Sequence, residues 1–154
     1  ELTFGTSSAV ANAVRVSGAE VMVAGTENNP NSKGVAKVWT NGVATVLSDG
    51  TRSTGARSLV LSGADLFVIG NELNSGGMYV AKVWKNGAAT PLTDGTHNAS
   101  AEGVAVVGAD THVVGFEATD ANPYVLRHWK NGAPVAVTDG TRRAIAYAVV
   151  AVTH

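Results

Sequence analysis

Short runs of apolar residues, each closed by a turn signal, recur along the whole chain. Residues 13–16 form one such run, and a Ser-Gly-Ala-Glu turn separates it from a second run at residues 21–24. Glycine supplies the positive φ that a tight reversal needs. Near-continuous apolar runs of this length indicate strands buried on both faces, and no segment follows a helical period. The pattern therefore predicts a chain built from short antiparallel β-strands.

The next two predicted strands are joined by the strongest hairpin signal in the sequence. Residues 79–84 form a third strand that ends at an Asn-Gly pair, and residues 88–93 form a fourth that ends at an Asp-Gly-Thr triplet. Both residues of an Asn-Gly turn tolerate the left-handed geometry that a two-residue hairpin requires. A longer loop rich in Asn, Ser and Gly, residues 28–34 in its first occurrence, joins the second strand to the third.

This four-strand unit is repeated every 45 residues. Trp39, Trp84 and Trp129 mark the interval, and the Asn-Gly and Asp-Gly-Thr signals keep it. An alignment without gaps gives 13 of 45 positions identical in all three copies, an agreement that excludes chance. We interpret residues 1–154 as a single repeat domain. Its repeats are 5–49, 50–94 and 95–139, followed by a partial fourth repeat, 140–154, whose first strand is predicted at 144–153.

Four strands in about 45 residues match the size of one β-propeller blade. Residues 81–87 read Ala-Lys-Val-Trp-Lys-Asn-Gly, and residues 92–96 read Leu-Thr-Asp-Gly-Thr. These two motifs resemble the repeats of secreted bacterial β-propeller proteins. The third copy departs from the first motif, since residues 126–128 read Leu-Arg-His instead of Ala-Lys-Val. The resemblance implies an all-β fold of four-stranded antiparallel blades and an extracellular, bacterial location, and it implies no particular activity.

Three blades and one extra strand do not complete a propeller, which usually has four to eight blades. We therefore expect self-association, most simply a homodimer whose six blades close a ring, with the extra strand as a clasp between subunits. A second interpretation is a fragment of a longer repeat protein, natural or engineered. The alternative fold is a β-trefoil, which also uses three four-stranded repeats. The trefoil explains less, because the Gln-x-Trp mark of ricin-like trefoils is absent and the extra strand would have no place.

Composition excludes several classes of function. Hydrophobic residues make up 45% and charged residues 15% of the chain, which indicates a folded domain rather than a disordered segment. Eleven Lys and Arg against twelve Asp and Glu give a formal charge of −1, so no basic field favours nucleic acid or an anionic membrane. Without cysteine the chain has no disulfide, no thiolate zinc site and no cysteine nucleophile. No apolar run approaches the ~18 residues that span a bilayer.

The sequence predicts neither an enzyme nor a metal or cofactor site. Acid–base catalysis needs two carboxylates in different surroundings, whereas near-symmetric repeats place like residues in like surroundings. Neither a Gly-x-Ser-x-Gly nucleophile elbow nor a phosphate-binding glycine-rich loop is present. The four histidines occupy different repeat positions and lack the spacing of metal ligands. They are His97, His112, His128 and His154.

Three recurring side chains have structural explanations. The repeated Trp is expected to pack against the neighbouring blade. The Asp of each Asp-Gly-Thr triplet is expected to accept a backbone N–H bond from two residues further on and so to fix the connector between blades. A glutamate ends each second strand, and a cation on the third strand would be its diagonal neighbour in a cross-strand ion pair. These pairs are Glu27 with Lys37, Glu72 with Lys82 and Glu117 with Arg127.

Strand order places the loops between strands two and three on the same face as the Asp-Gly-Thr connectors. These loops, 28–34, 73–79 and 118–124, are where the repeats differ, and variable loops on a rigid scaffold are the usual place for binding. Aromatic rings and amides suit the faces and hydroxyls of sugars, so our leading hypothesis is a non-catalytic, lectin-like module for glycans. The alternative is a self-assembling scaffold with no small ligand. The predicted ligand-binding residues, on this face or in the grooves between blades, are Tyr79, Tyr124, Asn29, Asn74, Asn122, Arg52, His97 and Arg142.

Overall fold

Each sequence repeat forms one four-stranded antiparallel sheet whose strands follow one another in chain order. The computed structural model describes residues 7–151, and those residues contain twelve strands and no helix, which confirms the predicted all-β class. Sheet one consists of β1 Ala9–Ser17, β2 Glu20–Asn28, β3 Gly34–Thr40 and β4 Val43–Val46. Sheet two consists of β5 Thr54–Ser62, β6 Asp65–Leu73, β7 Tyr79–Lys85 and β8 Ala88–Pro91. Sheet three consists of β9 Ala99–Val107, β10 Asp110–Glu117, β11 Val125–Lys130 and β12 Ala133–Val135.

The Asn-Gly hairpins have the turn geometry that their sequence predicts. In sheet two, Asn86 has a φ of 50° and Gly87 a φ of 86°, so both turn residues are left-handed. Such turns match the right-handed twist of the flanking strands. The corresponding residues of the other two sheets have φ values in the same range. Each hairpin therefore fixes the register of the third and fourth strands.

A β-bulge interrupts the first strand of each sheet. In sheet two it lies between Ala56 and Ser58, next to the pairing with Gly70. A Cβ added to Gly70 would lie 1.9 Å from the carbonyl oxygen of Gly55, so only glycine lets the two strands pair at this point. The glycines at the same repeat position in the other sheets, Gly25 and Gly115, have equally close backbone neighbours.

The sheets pack face to face, and the two faces of sheet two bury different cores. The front face, with Leu59, Val68 and Trp84, packs on sheet one. The back face, with Ile69 and Ala81, packs on sheet three. We use the same two names for the equivalent repeat positions of the other sheets. Trp84 and Trp129 are fully buried between neighbouring sheets, which confirms the predicted packing for the second and third repeats. Trp39 is buried as well, on a face that no neighbouring sheet covers within the described residues.

The first strand of each sheet lies nearest the neighbouring sheets, and the fourth lies at the periphery. β1 contacts β5, and β5 contacts β9. Every residue of β4, β8 and β12 is exposed, in contrast. Within residues 7–151 the three sheets do not close a ring.

The predicted first strand of a fourth repeat, 144–153, is not formed over residues 144–151. Thr153 lies outside the described residues. In each sheet the first strand pairs with the second strand of its own repeat, and no further strand follows residue 144 in the described part of the chain. A β-strand is defined by hydrogen bonds to a neighbouring strand, so this segment has no ladder to join.

Candidate functional site

The connections between strands collect at two ends of the sheets, as the strand order predicts. At one end, the side-chain oxygen of Asn86 accepts a hydrogen bond from the N–H of Leu66 at 2.8 Å, and its amide donates to Asp65 at 2.8 Å. The Asn-Gly hairpin is thereby joined to the first turn of the same sheet. We call this the hairpin end, and the opposite end, with the β2–β3, β6–β7 and β10–β11 loops, the loop end.

At the loop end, the predicted ligand-binding asparagines hold the backbone in place. The amide of Asn74 donates to the carbonyl of Gly95 at 2.9 Å, and its oxygen accepts from the N–H groups of Gly76 and Met78 at 2.9 and 3.0 Å. Asn29 donates to Gly50 at 2.9 Å in the same way. These amides already have protein partners, so a bound ligand would compete with the loop's own hydrogen bonds.

The third loop reaches the same contact from a different sequence position. Asn74 corresponds to Thr119 in the third repeat, and threonine has no amide to donate. Asn122, three residues later, donates to the carbonyl of Gly140 at 2.8 Å instead. Its own N–H is bonded to the hydroxyl of Thr119 at 3.1 Å. The loop sequences differ, therefore, while the tie to the connector is kept.

The Asp-Gly-Thr connectors are closed turns. One oxygen of Asp94 accepts from the N–H of Thr96 at 2.9 Å and from its hydroxyl at 2.7 Å. The backbone N–H, followed by the hydroxyl, holds the pKa of Asp94 below its ordinary value. Asp49 and Asp139 have the same two bonds and the same direction of pKa change. The predicted role of this aspartate in the turn is confirmed.

The predicted cross-strand ion pairs form in all three sheets. Each joins the glutamate of the second strand to the cation of the third, across a diagonal of the ladder. The charged groups are mostly buried, and each pair meets at hydrogen-bond distance. The nitrogen–oxygen distances are 2.6 Å for Lys37–Glu27, 2.9 Å for Lys82–Glu72 and 2.8 Å for Arg127–Glu117.

A groove of about 540 Å³ opens between sheets one and two at the loop end. Tyr79 forms part of its wall and is 38% exposed. Of the side chains between residues 7 and 151 that line it, Arg57 is the one that is charged. Most of the other lining side chains are hydroxyls and amides. The described residues that line it are Val10, Asn12, Thr26, Asn28, Ser32, Gly34, Ser53, Thr54, Gly55, Arg57, Asn71 and Tyr79.

Several polar groups of the groove are positioned by protein contacts. The amide of Asn12 donates to the carbonyl of Ala56 at 2.7 Å and thus bridges sheets one and two. The buried amide of Asn71 donates to the hydroxyl of Ser100 at 3.2 Å and so connects sheet two to β9. Arg57 is exposed. The groove therefore combines one aromatic wall, fixed amides and one exposed cation.

The other predicted binding residues lie at the loop end or on the neighbouring connectors. The ring of Tyr124 packs edge-on against Phe116, with centroids 5.0 Å apart, and the guanidinium of Arg143 lies 4.4 Å from its centroid. His97 lies 3.1 Å from Asp120 and 3.0 Å from the hydroxyl of Thr96. The structure thus brings Tyr79 alone of the eight predicted residues into the groove lining. Arg52 and Arg142 are exposed.

Sequence reasoning missed Asn12 and Arg57, which stand at the same repeat position in the first strands. A signal was present, because a polar residue interrupts an otherwise apolar strand at this position in both repeats. The bulge just described lies at these residues and changes which side of the strand faces the neighbouring sheet. A strand pattern without the bulge does not place these side chains at the groove.

Two of the histidines also meet, although they occupy different repeat positions. Nδ1 of His112 lies 3.0 Å from Nε2 of His128, and the rings are stacked with centroids 5.2 Å apart. Burial, followed by the charges of His112 and Lys130, lowers the pKa of His128. The pair lies on the back face of sheet three, far in the sequence from the groove residues. Within residues 7–151, no group of three or more metal-ligating side chains is present.

No protein-family model matches the chain, and no curated protein matches it with statistical significance. Within the described residues, no helix is long and apolar enough to cross a membrane.

Proposed function

We propose that the three sheets are β-propeller blades and that the protein is a non-catalytic module that recognises glycans in the groove between sheets one and two. The observation that carries the proposal is the half-exposed ring of Tyr79 beside a set of hydroxyls and amides. Sugars present apolar C–H faces together with hydroxyls, so a ring and fixed polar groups are complementary to them.

The arrangement of the strands supports blades over a trefoil. Each sheet is made of four consecutive strands, and no strand pairs with a strand of another sheet. The first strands lie innermost and the fourth strands outermost, and the sheets stack face to face through their buried tryptophans. This is the order of strands within propeller blades. The resemblance to secreted bacterial repeats supports an extracellular location.

Arg57 narrows the class of glycan. Its guanidinium is exposed, and among the described residues it is the only charged side chain that lines the groove. Guanidinium groups bind carboxylates and sulfates through paired hydrogen bonds. A glycan with an acidic substituent is therefore the preferred occupant, with its sugar ring on Tyr79 and its anionic group at Arg57.

A glycan array that contains neutral and acidic oligosaccharides tests the proposal, followed by calorimetry with the best ligand. We expect Tyr79→Ala and Arg57→Ala each to weaken binding about tenfold or more, which corresponds to about 1.4 kcal/mol. Tyr147→Ala is the matched control, because Tyr147 is 72% exposed and lies outside the groove. Tyr124→Ala asks whether the ring packed on Phe116 contributes as well.

A blank array, or binding that both groove variants retain, would contradict glycan recognition in this groove. The self-assembling scaffold would then be the better proposal. One observation favours it independently of any ligand: Val14 and Val16 of β1 are 67% and 60% exposed on the front face of sheet one.

A further inference from the structure

Each outer sheet of the stack has one face on which no further sheet packs within the described residues. The front faces of sheets two and three pack on the back faces of sheets one and two, respectively. One repeat position shows the difference most clearly: Leu59 and Val104 are 8% and 7% exposed, whereas Val14 is 67% exposed. No sheet covers the front face of sheet one or the back face of sheet three within the described residues. On the front face of sheet one the exposed part is β1, because Trp39 on β3 of the same face is only 2% exposed. This β1 surface and the back face of sheet three are the two kinds of surface that the internal sheet contacts join.

The back face of sheet three is partly covered by residues 144–151. The N–H of Ala144 donates to the carbonyl of Tyr124 at 3.1 Å. Val149 and Val150 line the same depression, of about 260 Å³, as Ala105 and His112. This segment repeats residues 9–16 of β1 and is identical to them at four of eight positions. A copy of a first strand thus lies where the first strand of a following sheet would pack.

Gly103 on β9 provides the seat for this segment. A Cβ added to Gly103 would lie 2.8 Å from Cα of Ala148 and 3.0 Å from the backbone nitrogen of Val149. The equivalent residues of the other first strands are Ala13 and Ser58, which both have a Cβ. The absence of a side chain at residue 103 is what allows the backbone of the segment to approach so closely.

We propose that a second copy of this chain docks the front face of its sheet one, with β1 foremost, on the back face of sheet three, and that residues 144–151 compete for that place. The segment is then an intramolecular cap that limits head-to-tail association. A second copy fits this surface because the internal sheet contacts already join these two kinds of face twice. A head-to-tail contact of this kind closes into a ring only when its rotation allows it.

We expect residues 144–151 to leave sheet three more easily than β1 leaves sheet one. β1 is paired with β2 over eight residue pairs, whereas residues 144–151 belong to no ladder. Moving the segment away from sheet three breaks no strand pairing. Moving β1 away from sheet one would break its entire pairing with β2. The apparent dissociation constant of a surface that is open only part of the time is raised in inverse proportion to its open fraction. Loss of the cap must therefore strengthen association.

Light scattering and sedimentation over a concentration series test the cap in the full-length chain. Gly103→Ser places the residue of the second repeat at the seat and forces the backbone of Ala148 to move. We expect its dissociation constant for self-association to fall about tenfold or more below that of the unsubstituted chain. A chain that ends at Arg143 should show the same fall in the dissociation constant. Adding Val14→Asp to Gly103→Ser should abolish association, while Val43→Asp should not, since Val43 is 71% exposed on the peripheral strand β4.

Three results would overturn the proposal. The first is a chain ending at Arg143 that associates less than the full chain, because the segment would then be the link between copies. The second is a set of variants that stay monomeric at all concentrations. The third is association that Val14→Asp does not reduce. Circular dichroism identifies any variant that fails to fold, and the exposed positions of Val14 and Val43 leave the core intact. These masses are read without a glycan, so the outcome is separate from that of the proposed function.

Discussion

The side-chain amide of Asn74 donates a hydrogen bond to the carbonyl oxygen of Gly95 at 2.9 Å and so ties the loop after β6 to the turn after β8. The same side chain accepts two backbone N–H bonds within its own loop. One residue therefore shapes the variable loop and fixes it to the connector that leads to the next sheet. This gives the loop end a rigid frame on which loop sequences can differ.

Replacement of Asn74 by Ala should lower the free energy of unfolding by about 1–2 kcal/mol, since three hydrogen bonds lose their partner in a partly buried site. Urea denaturation followed by circular dichroism measures this loss. Ser75→Ala is the neighbouring control, because Ser75 is exposed, and its effect should stay within about 0.5 kcal/mol. Equal effects of the two substitutions would show that the tie contributes nothing to stability.

The ion pair between Glu72 and Lys82 should contribute more than the pair between Asp65 and Lys85 at the hairpin end. The side chains of the first pair are 22% and 19% exposed, and those of the second are 41% and 54% exposed. Solvent screens the exposed pair, for which we expect no measurable coupling. A double-mutant cycle with Glu72→Gln and Lys82→Met should give a coupling free energy of about 0.5–1 kcal/mol. Coupling energies of the opposite order would contradict the assignment.

Trp84 should tolerate Phe much better than Ala. Its side chain is fully buried, and its Nε1 has no hydrogen-bond partner among the described residues. Trp84→Ala leaves a large cavity between sheets one and two and should cost about 3–5 kcal/mol. Trp84→Phe keeps most of the apolar contact and breaks no hydrogen bond, so we expect a loss of less than about 2 kcal/mol. Thermal and urea unfolding measure the stability of both variants. A loss for Trp84→Phe above about 2 kcal/mol would show that the indole N–H makes a hydrogen bond.

The repeat made much of this fold predictable, because features that recur at one interval constrain each other. The packing of Trp84 and Trp129, the Asp-Gly-Thr turns and the ion pair of Glu27 with Lys37 were predicted correctly from spacing and strand alternation. The groove was harder to predict, since it depends on a bulge that changes the direction of Asn12 and Arg57. The segment 144–151 was misjudged for a related reason: its sequence matches a strand, but a strand also needs a partner.

The histidine pair could not be found from repeat positions, because its members replace unlike residues. His112 stands where sheet one has Met22, and His128 stands where sheet one has Val38. Only the register of β10 with β11, which pairs His128 with Val114, brings the two rings together. A polar pair thus replaces apolar side chains on the one back face that no following sheet covers within the described residues.

This pair should make the protein less stable in weak acid. A short contact between the ring nitrogens needs one neutral ring, because one nitrogen must donate and the other accept. The pKa of His128 is lowered in the folded protein by burial and then by the charges of His112 and Lys130, while Lys130 itself is paired with Asp110 at 2.6 Å. The unfolded chain therefore binds more protons below its ordinary histidine pKa of about 6.5, and stability falls as the pH is lowered through and below that value.

His128→Val, which restores the residue of the first two repeats, should reduce this loss of stability between pH 7 and pH 5. Urea denaturation at each pH measures the free energy of unfolding. His97→Asn is the control and should keep the loss of stability, because His97 lies at the loop end beside Asp120. The charged groups that act on the pair belong to β10 and β11. Residues 144–151 pack on the same face and contain no charged side chain. An unchanged pH dependence in His128→Val, or its loss in His97→Asn, would place the acid sensitivity elsewhere.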